Sequence, residues 1–495
     1  MTLKNGVQLI VYADRFGGTL NGAAEWVRRA YGDSVVGIHF LPFFTPFDGA
    51  DAGFDPIDHT SPDPRLGTWT DLQAIGDEYD LIVDVIVNHV SSDSPMFQSF
   101  VANGDRSPYA NMFLTYESVF PHGASERDLT SIYRPRPGLP FTSIRIDGRP
   151  RLVWTTFTSQ QVDIDVRSPS GSAYLTAILD ELAAAHTRLI RLDAVGYAIK
   201  KASASSFMMP ETFAFIDEFT IAAHDRGMEV LVEVHSYYRT QIEIAARVDR
   251  VYDFALPPLL LHTLFVGDVT ALASWIEVRP TNAITVLDTH DGIGVIDVGP
   301  DQQDPSKPGL LTPGQIDALV ERIHANTHGE SRRATGAAAS NLDLYQVNST
   351  YYAALGSDDS AYLTARAVQF FLPGIPQVYY VGALAGENDM ELLEGTGTGR
   401  DINRHVYTDS EFADELARPV VKALRALIAL RSAHPAFDGT FTTHQTEAGQ
   451  LILQWNADDN HTRLEVDAHS ASSALHWSSP EGPRSATTTD LQSFL

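Results

Sequence analysis

The sequence predicts a (β/α)8 TIM barrel with two inserted loop-rich subdomains and a small C-terminal all-β domain. Three observations lead there. Eight short apolar runs recur between helical patterns, several of them end in charged residues, and the composition turns to short alternating segments toward the C-terminal end. At 495 residues, with 44% hydrophobic and 20% charged, the chain can fill a large core with satellites.

The eight runs are Val7–Tyr12, Val36–Leu41, Leu81–Val87, Leu189–Leu192, Glu229–Glu233, Arg250–Tyr252, Ala283–Leu287 and Ile375–Tyr380. Residues just past the C-terminal ends of barrel strands form the catalytic rim. Asp84 to His89, Arg191-Leu192-Asp193, Glu233-Val234-His235 and Asp288-Thr289-His290-Asp291 fall there. About 100 residues part the third run from the fourth, and nearly as many part the seventh from the eighth, far more than ordinary loops hold. The barrel is therefore assigned to residues 1–90, 168–292 and 357–436. Residues 91–167, rich in Pro, Gly and aromatics, read as an irregular lid after the third strand. Residues 293–356 read as a second insertion after the seventh, with a helix from Pro313 to Thr327. A last amphipathic helix, Arg418 to His434, precedes a β domain at 437–495, where Leu451-Ile452-Leu453-Gln454-Trp455 is typical.

The net charge of −28 argues against nucleic acid and against an anionic membrane surface as partners, and leaves any anion site to a few placed cations. The chain has no cysteine, which excludes disulfides, thiol nucleophiles and thiolate metal sites. No apolar run approaches the roughly 18 residues that a bilayer span needs. Met1 to Asn5 leads into the first run without the basic region, apolar core or cleavage site of a secretory signal, so a cytoplasmic protein is expected.

Three carboxylates, Asp193, Glu233 and Asp291, follow the fourth, fifth and seventh runs, and barrel closure is expected to gather them. Retaining glycosyl transfer uses two carboxyl groups about 5 to 5.5 Å apart, one ionised as nucleophile and one protonated to assist the leaving oxygen. A third can steady the oxocarbenium-like transition state. Arg191 lies two residues before Asp193, and strand alternation sets both on one face, where the guanidinium is expected to keep Asp193 ionised. Glu233 ends the apolar run from Val230, where desolvation is expected to favour the protonated acid. His235, from the same strand end, is a candidate contact for substrate or phosphate. A lone strand-end Asp is as often a helix cap or an ion-pair partner as a catalyst. The weight lies on four segments arriving in order.

Those segments, Asp84 to His89, Arg191 to Val195, Glu233 to His235 and Thr289 to Asp291, resemble the four signature regions of the α-amylase superfamily. The resemblance implies that Asp193 is the nucleophile, Glu233 the general acid/base and Asp291 the transition-state stabiliser. It also implies that Arg191, His89 and His290 hold the glucosyl unit in the first subsite. Phe43 to Asp55, Tyr133 to Pro140 and Asn341 to Asn348 are similar to loops of the sucrose phosphorylase family, over nearly the full chain. That likeness implies reversible, retaining phosphorolysis of sucrose to α-D-glucose 1-phosphate and D-fructose through a β-glucosyl-Asp193 intermediate.

In the same terms, Asp51 and Arg400 are the pair expected to close a blind glucose pocket, with Phe54 and Phe157 as apolar walls. Asp343, Tyr345 and Gln346, with Leu344 among them, are the acceptor-side candidates. Arg136, with His235 and Tyr345, is the candidate phosphate group, because a guanidinium binds two phosphate oxygens at once. Gly395-Thr396-Gly397-Thr398-Gly399 superficially resembles a dinucleotide motif but lacks its strand and helix, and reads as a flexible loop. Neither a cofactor nor a metal is expected, inorganic phosphate being a co-substrate. Asn88 stands where many amylases begin a calcium site, yet no further carboxylate ligands can be assigned, and the histidines lack an HExxH pattern. A homodimer is implied by resemblance alone. Rival readings are phosphorolysis of sucrose 6′-phosphate, glucosylglycerol or glucosylglycerate, a sucrose hydrolase or transglucosidase, and a catalytically silent sugar-binding protein.

Overall fold

The computed structural model describes residues 3–49, 51–134, 138–302, 304–338 and 346–494. Eight strands close into a barrel in chain order: β1 (Val7–Val11), β2 (Val35–Phe40), β3 (Asp80–Ile86), β4 (Thr187–Asp193), β5 (Glu229–Val232), β6 (Arg250–Asp253), β7 (Ala283–Thr285) and β8 (Ile375–Tyr379). All eight expected runs are barrel strands. β1 and β3 are buried along their whole length, as parallel strands covered on both faces must be, so they read as mainly apolar runs, broken at Gln8, Asp80 and Asp84.

The chain divides into two compact units. One, chiefly residues 40–234, holds β3, β4 and β5 in parallel, with Ile190 registered against Val83 and Val230. Its insertion after β3 is more regular than its Pro and Gly content suggested. Helix Pro95–Asn103 starts on Ser94, whose hydroxyl oxygen accepts the Phe97 N–H at 3.3 Å, with proline in its first turn. Phe141–Ile146 pairs antiparallel with Arg149–Trp154. Between them Asp147 and Gly148 take φ of 46° and 74°, the left-handed pair that a two-residue hairpin turn demands. Trp154, Phe120 and Leu114 form a small core beneath the hairpin. His89–Ser91, just past β3, pairs with Gln161–Asp163 and returns the insertion to the strand end.

The other unit comprises residues 4–18, 22–39 and 235–495. Here β1 pairs with β8, and Gln377 donates its side-chain amide to Gln8 Oε1 at 2.9 Å. β8 begins after Gly374 (φ 124°), where a Cβ would overlap the carbonyl of Ala283 on β7. The insertion after β7 contains helix Pro313–Asn326, closed by a Thr312–Gln315 capping box, and helix Glu330–Ala338. The glycines at 395–399 do not make the expected flexible loop. Gly397 (φ 68°) caps helix Met390–Thr396 in the left-handed conformation, and Gly399–Asn403 forms a 3₁₀ turn.

Helix Pro419–Ala433 leads to a five-stranded antiparallel sheet of β9 (Thr440–Glu447), β10 (Gln450–Ala457), β11 (Asn460–Asp467), β12 (Ser472–Trp477) and β13 (Arg484–Thr487). Leu451, Leu453 and Trp455 alternate inward on β10, and the Trp455 indole N–H donates to the Phe371 carbonyl at 2.7 Å. Among the described residues, no helix is long and apolar enough to cross a membrane.

Candidate active site

In the first unit the site grows from Arg191 on β4. Asp84 on β3 stands opposite it in register. Arg191 Nη1 donates to Asp84 Oδ1 at 2.5 Å and to Asp193 Oδ1 at 3.0 Å, while Nη2 lies 3.8 Å from Glu233 Oε1. One guanidinium, 4% exposed, therefore spans three carboxylates and offsets their mutual repulsion. The Asp84 side chain is wholly buried, whereas Asp193 and Glu233 keep 14% and 16% exposure, so the latter two are the ones a ligand can reach. Ala194 follows at φ 53°, a left-handed conformation that costs a residue with a Cβ about 1 kcal/mol or more. Its N–H points at Glu233 Oε2, 3.4 Å away.

Phe54 and His89 form an adjoining wall. The Phe54 ring lies 5.7 Å from the Arg191 guanidinium carbon, and the Phe54 carbonyl accepts from His89 Nε2 at 2.8 Å. Burial holds the His89 imidazole below its ordinary range, so the ring is neutral; with Nε2 donating, Nδ1 accepts from Asn88 at 3.3 Å. Phe157 meets His89 edge-on at 5.5 Å and Tyr197 at 5.2 Å. Arg134 braces that segment from behind, donating to the Thr156 carbonyl at 2.8 Å and the Phe157 carbonyl at 3.2 Å. Asp51, Ala52 and Gly53 take φ of 55°, 50° and 89° in succession. Two left-handed residues with side chains in a row mark a loop whose shape is imposed by its surroundings.

Asn88 is held by a buried cation on the chain itself. Lys200 Nζ donates to Asn88 Oδ1 and lies 2.6 Å from Asp163 Oδ2, with its side chain 1% exposed. Asp163 also accepts the Thr156 N–H at 2.9 Å and the Asn88 amide at 3.2 Å. Burial pushes the Lys200 ammonium below its ordinary range, and the Asp163 charge opposes that shift. No group of three or more metal-ligating side chains is gathered among the described residues.

In the second unit Asp291 Oδ1 lies 3.0 Å from Arg400 Nη1, 3.7 Å from His290 Nε2 and 4.0 Å from Arg404 Nη2. Arg404 Nε donates to the His290 carbonyl at 3.0 Å and Asn403 to the Thr289 carbonyl at 3.0 Å, fixing the loop that carries Asp291. The Gln346 side-chain oxygen accepts the Gly292 N–H at 3.3 Å, which sets this acceptor-side candidate next to Asp291 in the chain. Asp288 pairs with fully buried Arg366 at 2.5 Å, and a Cβ on Gly382 would overlap both groups. His235 stacks on Phe254 at 3.8 Å and pairs through Nδ1 with Asp297 at 2.9 Å.

Arg400 is thus engaged with Asp291, while Asp51 belongs to the left-handed loop of the first unit. Arg136, Asp343, Leu344 and Tyr345 lie outside the described residues. Sequence reasoning did not single out Asp84, Arg404, Asp297 or Lys200. Asp84 and Arg404 left a signal, the former inside a quoted strand end and the latter four residues after Arg400. Asp297 and Lys200 left none, because their partners are remote in sequence.

No family model matches the chain. A sucrose phosphorylase of Bifidobacterium adolescentis is 58% identical over 466 residues, covering 94% of this chain and 92% of its own length. A sucrose phosphorylase of Agrobacterium vitis is 59% identical over 470 residues, covering 94% and 95%. The crystal structure of sucrose 6F-phosphate phosphorylase from Thermoanaerobacter thermosaccharolyticum superposes with a TM-score of 0.90 at 35% identity, covering 98% of this chain and 99% of the other.

Proposed function

The chain belongs to the sucrose phosphorylase family of the α-amylase superfamily, and from that premise we propose that it interconverts sucrose and inorganic phosphate with α-D-glucose 1-phosphate and D-fructose. The observation that carries the chemistry is the guanidinium of Arg191, bonded to Asp193 and 3.8 Å from Glu233. It supports a pair of carboxyl groups close enough for double displacement.

Asp193 attacks the anomeric carbon of the glucosyl unit. The C1–O bond to fructose breaks, its electron pair stays on the fructosyl oxygen, and Glu233 supplies that oxygen with a proton. Arg191 favours the anionic form that Asp193 needs as a nucleophile. An oxygen of hydrogen phosphate then attacks C1 from the face fructose left, the Asp193–C1 bond breaks, the phosphate's proton returns to Glu233, and two inversions give net retention. Asp291 is assigned the stabilisation of the positive charge that develops on the sugar in both steps. His89, His290, Phe54, Phe157, Asp51 and Arg400 are assigned to the glucosyl unit. Arg136, His235, Asp343, Leu344, Tyr345 and Gln346 are assigned to the acceptor. No step calls for a resident cofactor, and a homodimer is carried over from family resemblance.

The test is product analysis from sucrose with and without inorganic phosphate. Glucose 1-phosphate that depends on phosphate and matches fructose in amount is the expected result. Fructose with equal free glucose under both conditions would make the protein a hydrolase. Turnover of sucrose 6′-phosphate in preference to sucrose would move it to the activity named for the superposed structure.

A further inference from the structure

We propose that Asp297 is the positioning residue that lets His235 serve two acceptors in turn, a sugar hydroxyl and a phosphate oxygen. The inference rests on the phosphorolysis reading above. Asp297 lies in the 3₁₀ turn Ile296–Val298 beyond β7 and is fully buried. Donors from the segment after β5 converge on it. Oδ2 is 2.9 Å from His235 Nδ1, and Oδ1 accepts the Ser236 N–H at 3.1 Å and the Gln241 amide at 2.6 Å. Phe254 stacks on the imidazole with only 17° between the planes. Gly294 packs over the junction, where a Cβ would come within 2.9 Å of Asp297 Oδ2 and 3.3 Å of His235 Cε1. The ring is clamped at its edge and on its face.

Asp297 already accepts from the Ser236 N–H and the Gln241 amide, as a carboxylate does, and the hydrogen between its Oδ2 and the ring is then the one that Nδ1 donates. Nε2 is then the nitrogen turned away from Asp297. In the neutral ring it accepts a hydrogen bond from a fructose hydroxyl. When dihydrogen phosphate arrives, its proton passes to Nε2, the ring becomes a cation that donates back to the resulting dianion, and Asp297 balances the added charge. No covalent bond other than that to the proton changes. His235 also lines a cavity of about 20 Å³, one water in size, with Asp288 and Asp291. Those two carboxylates pair with Arg366 and Arg400, and Asp297 pairs with the ring.

The readout is the partition of the glucosyl enzyme between phosphate and water, measured as glucose 1-phosphate over free glucose from sucrose at graded phosphate. Asp297→Asn should lower that ratio about tenfold at subsaturating phosphate, the size of a lost charge-assisted contact, and raise KM for phosphate more than it lowers kcat. Asp297→Glu, which keeps the charge, should recover part of the ratio. An unchanged ratio in Asp297→Asn overturns the proposal, because damage common to both acceptors cancels in it. If the Asn variant does not fold, ¹⁵N spectra of the histidine-labelled wild type, assigned with His235→Gln, decide the matter. A protonated Nδ1 supports the proposal and a bare Nδ1 overturns it. Wild type that makes no phosphate-dependent glucose 1-phosphate would instead defeat the phosphorolysis reading, with the Nδ1 state still measurable.

Discussion

Asp84 and Arg191 face each other in register on neighbouring strands and join at 2.5 Å, although 107 residues separate them in the chain. The pair fixes the guanidinium that also holds Asp193. Asp84→Asn keeps the shape and removes the counter-charge, so Arg191 should be drawn toward Asp193 and weaken the proposed nucleophile. The expected loss in kcat is about 100-fold, or about 2.7 kcal/mol of barrier, with near-UV circular dichroism unchanged. A kcat within threefold of wild type would show that Asp84 serves the fold alone.

The two carboxylates on β4 and after β5 can be told apart by azide, a nucleophile that needs no general base. With α-glucosyl fluoride as donor, Asp193→Gly should give the inverted β-glucosyl azide by direct displacement. Glu233→Ala should give the retained α-glucosyl azide through the glucosyl-Asp193 intermediate. Product anomers from NMR check the assignment, and exchanged stereochemistry would exchange the roles.

Lys200 is a cation in a place where its loss leaves Asp163 buried without a counter-charge. Lys200→Met should destabilise the protein by about 3 to 5 kcal/mol and lower the melting temperature by several degrees. Differential scanning calorimetry checks this. A melting temperature within one degree of wild type would mean that Asp163 finds another partner or takes up a proton.

His59 is buried against Phe44 and the Asp84 carbonyl, and burial pushes its imidazole down to about 4. In the unfolded chain a histidine titrates near its ordinary value of about 6.5. Between those values the unfolded state binds the extra proton, so stability present above about pH 6.5 is lost as pH falls toward 4. His89 is shifted in the same direction. His59→Gln should therefore melt with a smaller change between pH 7 and pH 5 than wild type, by about 2 kcal/mol of stability. Equal pH slopes would place the acid sensitivity elsewhere.

Much of this was legible in the sequence, for reasons that differ by residue. Buried parallel strands leave mainly apolar runs, and the rim positions of Asp193 and Glu233 follow from where the runs of β4 and β5 stop. The hairpin after Phe141 was signalled by Asp147-Gly148, but the surrounding Pro and Gly content obscured it. The 395–399 glycines misled because Gly397 acts as a helix cap rather than as slack. The Lys200–Asp163 and His235–Asp297 pairs leave no local pattern at all. Each joins a strand-end segment to a residue dozens of positions away, and only the folded register brings them together.

The ladder between β1 and β8 joins the beginning of the chain to a strand near its end, with Gln8 bonded to Gln377 across 369 positions. At roughly 5 to 20 residues per second, a ribosome would need about 20 to 70 s to deliver the partner that β1 awaits. Through that interval a strand with four apolar residues in five has one edge open in the nascent protein. A chaperone that covers those five residues should therefore raise the yield of folded enzyme.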